Sequence, residues 1–205
     1  MVIGERFAWA HLPKTAGDAT YAMLSAVPGL VQFADPRESN AKHDPFFARE
    51  REIAGKLRVM NIRRLPAWAL SAAQHRARHG VHPDYVPRPL QTPEEIAAQT
   101  DPDDLLRWMT DHNRLAVQRW LRAEYLEQDV LALLDELGVL TPEARDQILA
   151  VGHVNVGDYE RDLGRWFTPA HVQTLYARNP EWARIELALY GVLSGVAGER
   201  PHLDG

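Results

Sequence analysis

FAWAHLPKTAGDAT, residues 7–20, is the stretch that decides the fold. Phe7, Ala8, Trp9 and Ala10 form an apolar run that reads as a buried strand. His11, Leu12 and Pro13 end it, Lys14 follows, and the small residues Ala16 and Gly17 lead into a helical segment from Ala19 to Ala26. Strand, loop and helix in that order put the first free N–H groups of the helix in the loop, where aligned peptide dipoles favour an anion. Lys14 adds a full positive charge beside those amides. Ala16 and Gly17 offer little or no side chain to keep a phosphate-sized group off the backbone. The stretch reads as an anion cradle.

It is not the P-loop of the nucleotide triphosphatases, G-x-x-x-x-G-K-[ST]: Lys14 precedes Gly17, and no glycine stands in the loop before it. Around the cradle, 205 residues suffice for one ordinary core, and a single domain over residues 1–205 is expected. Apolar residues make up 45% and charged residues 25%, the balance of a globular chain, and no apolar run nears the roughly 20 residues of a membrane span. The start, MVIGERFAWA, lacks a basic stretch followed by a long apolar one, and the chain has no cysteine. Together these predict a cytoplasmic protein without disulfides or thiolate metal sites. A net charge of −5 argues against a general nucleic-acid binder. Only Lys14, Lys42 and Lys56 are lysines, against 20 arginines, and one of the three lies in the cradle.

Downstream, Pro28 and Gly29 stop the first helix and Leu30 to Ala34 reads as a short buried strand. Asp35 to Pro45 is a polar loop carrying Lys42 and His43, Phe46 to Ile53 reads as helical, and Leu57 to Ile62 (LRVMNI) as a strong strand. That strand runs into Arg63, Arg64, Leu65 and Pro66 and then a helix from Ala67 to His79, a second strand-to-helix junction with basic residues at its tip. The alternation predicts an α/β fold: a P-loop-like parallel sheet flanked by helices, with ligands at the carboxyl ends of the strands and both junctions on one edge. Gly80 to Pro93, with four prolines, reads as a surface loop or flap. The remainder predicts a mostly helical C-terminal half. Leu105, Trp108, Met109, Leu115, Val117, Trp120, Leu121 and Leu126 fall near helical spacing, and a helix over 129–137 follows. Thr141-Pro142 and Thr168-Pro169 open two more helices, and a last one, 180–193, buries Trp182, Ile185, Leu189 and Tyr190. Ala150 to Val156 reads as a strand or a coil crossing the core.

His11 to Ala19, HLPKTAGDA, resembles the 5′-phosphosulfate loop of sulfotransferases, above all the carbohydrate sulfotransferase branch, whose pattern runs H-I-P-K-T-G-G-T-S. The resemblance makes Pro13, Lys14, Thr15, Ala16, Gly17, Asp18 and Ala19 the seat for the phosphosulfate of 3′-phosphoadenosine 5′-phosphosulfate (PAPS). Asp18 departs from it. The family has a hydroxyl there, and a carboxylate repels phosphate unless it turns away, meets an arginine or caps the helix. The family grips the 3′-phosphate with an arginine at a strand end and a serine eight residues on (R-[DN]-P-x-x-R-x-x-S). Arg63 and Ser71 have that separation, with Pro66 one place late and Trp68 where an arginine is common. His43, 20 residues before Arg63, matches the place of the family's histidine, with Lys42 in place of a glycine.

What the resemblance implies is a sulfotransferase that moves a sulfuryl group from PAPS to a hydroxyl of a carbohydrate or other small acceptor, with His43 as base and Lys14 stabilising the leaving phosphate. The alternatives are a catalytically degraded nucleotide-binding module and a small-molecule phosphotransferase on a P-loop-like scaffold. His11 belongs to the loop motif and is expected to brace the strand end by hydrogen bonding. His153-Val154-Asn155 resembles a late stretch of the branch and reads first as a buried polar anchor. Arg119 and Arg122 read as one helix face within reach of acceptor or 3′-phosphate. His75, His79 and His82 have partial metal-ligand spacing, but no carboxylate or cysteine completes a set, so no metal is assigned.

Overall fold

The structure, a computed structural model, describes residues 1–36, 38–80, 86–152, 154 and 157–195. Its elements are β1 (Val2–Gly4), β2 (Phe7–Ala10), α1 (Gly17–Ala26), β3 (Val31–Ala34), α2 (Glu50–Ile53), β4 (Leu57–Ile62), α3 (Leu65–His79), α4 (Pro93–Gln99), α5 (Pro102–Met109), β5 (Arg119–Arg122), α6 (Leu126–Glu136), α7 (Pro142–Leu149), α8 (Leu163–Trp166), α9 (Pro169–Arg178) and α10 (Pro180–Tyr190). Short 3₁₀ turns lie at Asn40–His43, Phe46–Arg49 and Ala123–Tyr125. The chain divides into two compact units, Met1–Ile62 with Leu105–Gly157 and Arg63–Asp104 with Asp158–Gly205.

The first unit is an α/β layer around a five-stranded mixed sheet in the order β3-β1-β2-β4-β5. Strand β1 alone runs against the rest: it is antiparallel to β2 and to β3, while β2, β4 and β5 pair in parallel. Registers Trp9 with Val59 and Asn61 with Leu121 put Phe7, Trp9, Val59, Asn61 and Leu121 on one face. Helices α1, α6 and α7 cover that face with Met23, Leu24, Val130, Leu133, Leu134 and Ile148. Residues of the opposite face, Ala8, Ala10, Met60 and Ile62, are equally shielded from water. Burial on both faces explains why β2 reads as a continuous apolar run rather than an alternating one. Because β2 and β4 are parallel neighbours, the chain leaves both at the same sheet edge, as the sequence predicts.

Two expectations need correction, and one strand is additional. β3 is a half-exposed edge strand, not a buried one. β1 is a strand that the sequence pattern does not announce. β5 replaces the helix expected through Arg119 to Arg122, because α5 stops at Met109 and Asp111, His112 and Asn113 take positive φ in succession. Aspartate, asparagine and histidine tolerate that conformation best. The chain then pairs with β4, and pairing overrides local helix preference.

The second unit is helical. Around α3 pack Ile96, Val172, Leu175, Ile185 and the tilted indole pair Trp68 and Trp182, whose ring centroids are 5.6 Å apart. Two buried carboxylates serve helix starts there: Asp103 accepts from Glu181 N and Trp182 N at α10, and Glu186 accepts from Leu65 N at α3. Trp182 and Ile185 are core residues as expected, whereas Leu189 and Tyr190 are only half-buried and α10 ends at Tyr190.

Candidate functional site

The cradle begins where β2 ends. Lys14 has φ 66° and Ala16 φ 64°, while Thr15 and Gly17 keep negative φ, so the backbone sign alternates over four residues. Such alternation turns successive N–H groups toward one side and forms an anion-binding concavity. Ala16 is also the N-cap of α1, with ψ 28° and no side-chain cap hydrogen bond, so the concavity opens on the helix start. The left-handed conformation costs a non-glycine residue about 1–2 kcal/mol. Surrounding bonds hold it in place. Asn61 Nδ2 donates to Thr15 O at 2.9 Å, Thr15 Oγ1 donates to Leu12 O at 2.6 Å, and Thr20 Oγ1 donates to Ala16 O at 3.1 Å. The methyl groups of Ala16 and Ala19 pack on the apolar core.

Gly17 has a second reason to be glycine. A Cβ there would stand 1.8 Å from His11 Nε2, because the imidazole lies flat against the helix start. His11 stacks on Trp9 (5.3 Å between centroids, 24°) and touches His43 (4.4 Å, 48°). It therefore braces the strand end chiefly as a packed plate, and its backbone oxygen provides the hydrogen bond, accepting from His43 Nδ1 at 3.1 Å. A carbonyl can only accept, so His43 carries its proton on Nδ1 and leaves the Nε2 lone pair available. Burial pulls His11 down to about 3, with neighbouring His43 adding to the effect. Burial also lowers His43, partly offset by the His11 carbonyl. Both rings are neutral near pH 7.

Asp18 does not cap the helix, since the N-cap is Ala16; it sits in the first turn and pairs with Lys42 at 3.7 Å. Its counter-charge is thus a lysine from the loop that carries His43 rather than an arginine. Thr15 is fully buried and its hydroxyl is committed to Leu12 O. Pro13 and Lys14 are half-buried at the mouth. His11, Asp18, Lys42 and His43 thus belong to one local constellation.

Arg63 and Ser71 belong to the second unit. Arg63 precedes α3 and its carbonyl accepts from Trp182 Nε1 at 3.0 Å, while its half-buried guanidinium makes no hydrogen bond or ion pair with a described residue. Ser71 is buried in the second turn of α3. Trp68, where the sulfotransferase pattern has arginine, is part of the unit's core. Arg119 and Arg122 lie on opposite faces of a strand, not on one helix face. Arg122 is held in a two-pronged pair by Asp129 (2.7 and 2.9 Å) and Arg119 faces Glu136 at 3.6 Å, so the expected shared helix face is replaced by two separate ion pairs. His75 and His79 touch at 4.8 Å, and among the described residues no cluster of three metal-ligating side chains occurs. His82, His153 and Asn155 lie outside the described residues.

Sequence reasoning missed Asn61 and gave Lys42 no task. The signal for Asn61 was present: a carboxamide inside the apolar strand LRVMNI must find partners when buried.

Models of known protein families, curated proteins and solved structures were all compared with the chain, and none matches. Among the described residues no helix is long and apolar enough to cross a membrane.

Proposed function

We propose that the chain is a sulfotransferase in which residues 13–19 seat the 5′-phosphosulfate of PAPS and a hydroxyl of a carbohydrate or other small acceptor receives the sulfuryl group. The observation that carries this reading is the alternating backbone of residues 14–17, with Lys14 within it, at the start of α1, whose N-cap Ala16 has no capping side chain. Its place after a parallel strand supports a P-loop-like scaffold, and the cysteine-free composition supports a cytoplasmic setting.

In the proposed step the acceptor O–H gives its proton to His43 Nε2 as the new O–S bond forms. The S–O bond to the 5′-phosphate breaks, and its electron pair leaves on the phosphate oxygen of adenosine 3′,5′-bisphosphate. Lys14 and the amides of Ala16 and Gly17 meet that growing charge. His43 suits the task because its Nδ1 is engaged and burial keeps the ring neutral. Arg63 and Ser71 are the proposed ligands of the 3′-phosphate, one a planar two-pronged donor and the other a hydroxyl.

A second reading, a nucleotide-binding relative without turnover, has its own observation. The carboxylate of Asp18 stands where the pattern has a donor hydroxyl, and the Thr15 hydroxyl is spent on the backbone. Calorimetry with adenosine 3′,5′-bisphosphate and with magnesium ATP tests the nucleotide. Saturable binding of the bisphosphate, lost in Lys14→Ala and Arg63→Ala, supports the proposal; preference for magnesium ATP points to a phosphotransferase and ends it. Transfer of radiosulfate by the wild type separates enzyme from binder. An inert wild type revived by Asp18→Thr selects the binder.

A further inference from the structure

We propose that Asn61 is the positioning residue of the anion seat, fixing the direction of its amides before any anion arrives. This rests on the reading of residues 13–19 as such a seat. Asn61 is fully buried on β4, and three partners engage its carboxamide. Oδ1 accepts from Trp9 Nε1 at 2.6 Å, and Nδ2 donates to Thr15 O at 2.9 Å and to Thr20 Oγ1 at 2.7 Å. The partners decide which end is oxygen: an indole N–H can only donate and a peptide carbonyl can only accept.

The consequence follows from the planar trans peptide, in which C=O and N–H point in opposite directions. Asn61 draws the Thr15 carbonyl toward the sheet, so the N–H of Ala16 faces away from it. The Ala16 carbonyl, which sets the N–H of Gly17, accepts from the helix amide of Thr20 and from the Thr20 hydroxyl, and that hydroxyl in turn accepts from Asn61, so the same side chain reinforces the second amide. Asn61 thus sets the amide of Ala16 and reinforces that of Gly17, from more than forty positions away and with no need of contact with the anion. Trp9 anchors the other end, packed in the core and stacked on His11.

The test uses the full chain with pyrophosphate and adenosine 3′,5′-bisphosphate as probes at 10 °C, well below unfolding. Asn61→Leu removes all three bonds, and Thr20→Val removes both bonds of the Thr20 hydroxyl, to Asn61 Nδ2 and to Ala16 O, while conserving shape and leaving Asn61 on Thr15 O. The expected result is at least a tenfold rise in Kd for Asn61→Leu and a smaller rise for Thr20→Val, with each variant still folded by circular dichroism. A purely structural role would lower the melting temperature and leave Kd at 10 °C unchanged. In the wild type, the Trp9 indole N–H resonance should move during titration although the ring does not touch the probe. Wild-type binding with equal affinity in the variants, or a Trp9 resonance that stays put at saturation, overturns the role of Asn61 alone. Failure of the wild type to bind either probe overturns the seat, and the proposal with it. Should Asn61→Leu fail to fold, Thr20→Val and the Trp9 resonance decide.

Discussion

Gly17→Ala tests the packing of the cradle most directly. The added methyl carbon would sit 1.8 Å from His11 Nε2 and 1.9 Å from Cδ2, against the roughly 3.5–4.0 Å of an ordinary contact. The imidazole would have to retreat by about 1.5–2 Å on that contact distance, and it has Trp9 on one side and His43 on another. Overpacking of this kind costs about 1–3 kcal/mol. Opposing it is the helix preference of alanine over glycine, at most about 1 kcal/mol and less at a first helical position. Sterics win, with a net loss of about 1–2 kcal/mol and a fall in melting temperature of roughly 2–8 °C for a chain of this size. Thermal unfolding of Gly17→Ala, His11→Ala and the double variant measures the coupling. With the ring removed, the same glycine substitution should become neutral or mildly stabilising. A Gly17→Ala protein as stable as wild type, or an equal loss in the His11→Ala background, refutes the reasoning.

Acidification should weaken the first unit. Unfolded histidine binds a proton near pH 6.5, whereas buried His11 waits until about 3 and His43 is lowered too, so the unfolded chain holds more protons across that window. Stability is therefore present above pH 6.5 and lost as pH falls, by up to about 1.4 kcal/mol per pH unit from His11; denaturant midpoints at pH 7 and pH 5 should show the drop, and His11→Gln should flatten it. Lys14→Ala should raise the Kd for adenosine 3′,5′-bisphosphate about ten- to a hundredfold, the worth of one charge-assisted hydrogen bond. Unfolding curves should show Asp129→Asn to be destabilising by about 1–3 kcal/mol, because it removes the negative charge and one of the two oxygens that accept from Arg122.

The parts of the fold that local chemistry specifies were legible in the sequence. Thr141 and Thr168 each accept from the amide of the third residue of a helix that opens with proline, and both starts were readable. The cradle was readable because lysine, small residues and a strand-to-helix junction lie within one stretch. β5 was not, since Arg119 to Arg122 become a strand only through pairing with Val59 to Ile62, sixty residues earlier. Nor were the roles of Asn61 and Lys42, which depend on partners that only the folded sheet brings near. Asp18 could be recognised as out of pattern, but its lysine neighbour could not be named from spacing.

How the helix starts are filled bears on where an anion from outside would go. α3 and α10 each receive a buried carboxylate from elsewhere in the chain, Glu186 on Leu65 N and Asp103 on Glu181 N and Trp182 N. Those starts already hold the negative charge their dipoles favour. Burial raises Glu186, yet Tyr176 OH, Leu65 N and Ser194 N all donate to it, so the group is an internal ligand of α3. At α1 the N-cap residue, Ala16, has no capping side chain of its own, and the carboxylate of the first turn, Asp18, pairs with Lys42. The chain invests left-handed strain at Lys14 and Ala16, a buried asparagine and an obligatory glycine in shaping that start. The proposed anion would supply the negative charge that a helix start built so favours, and the bisphosphate titration measures whether it binds there.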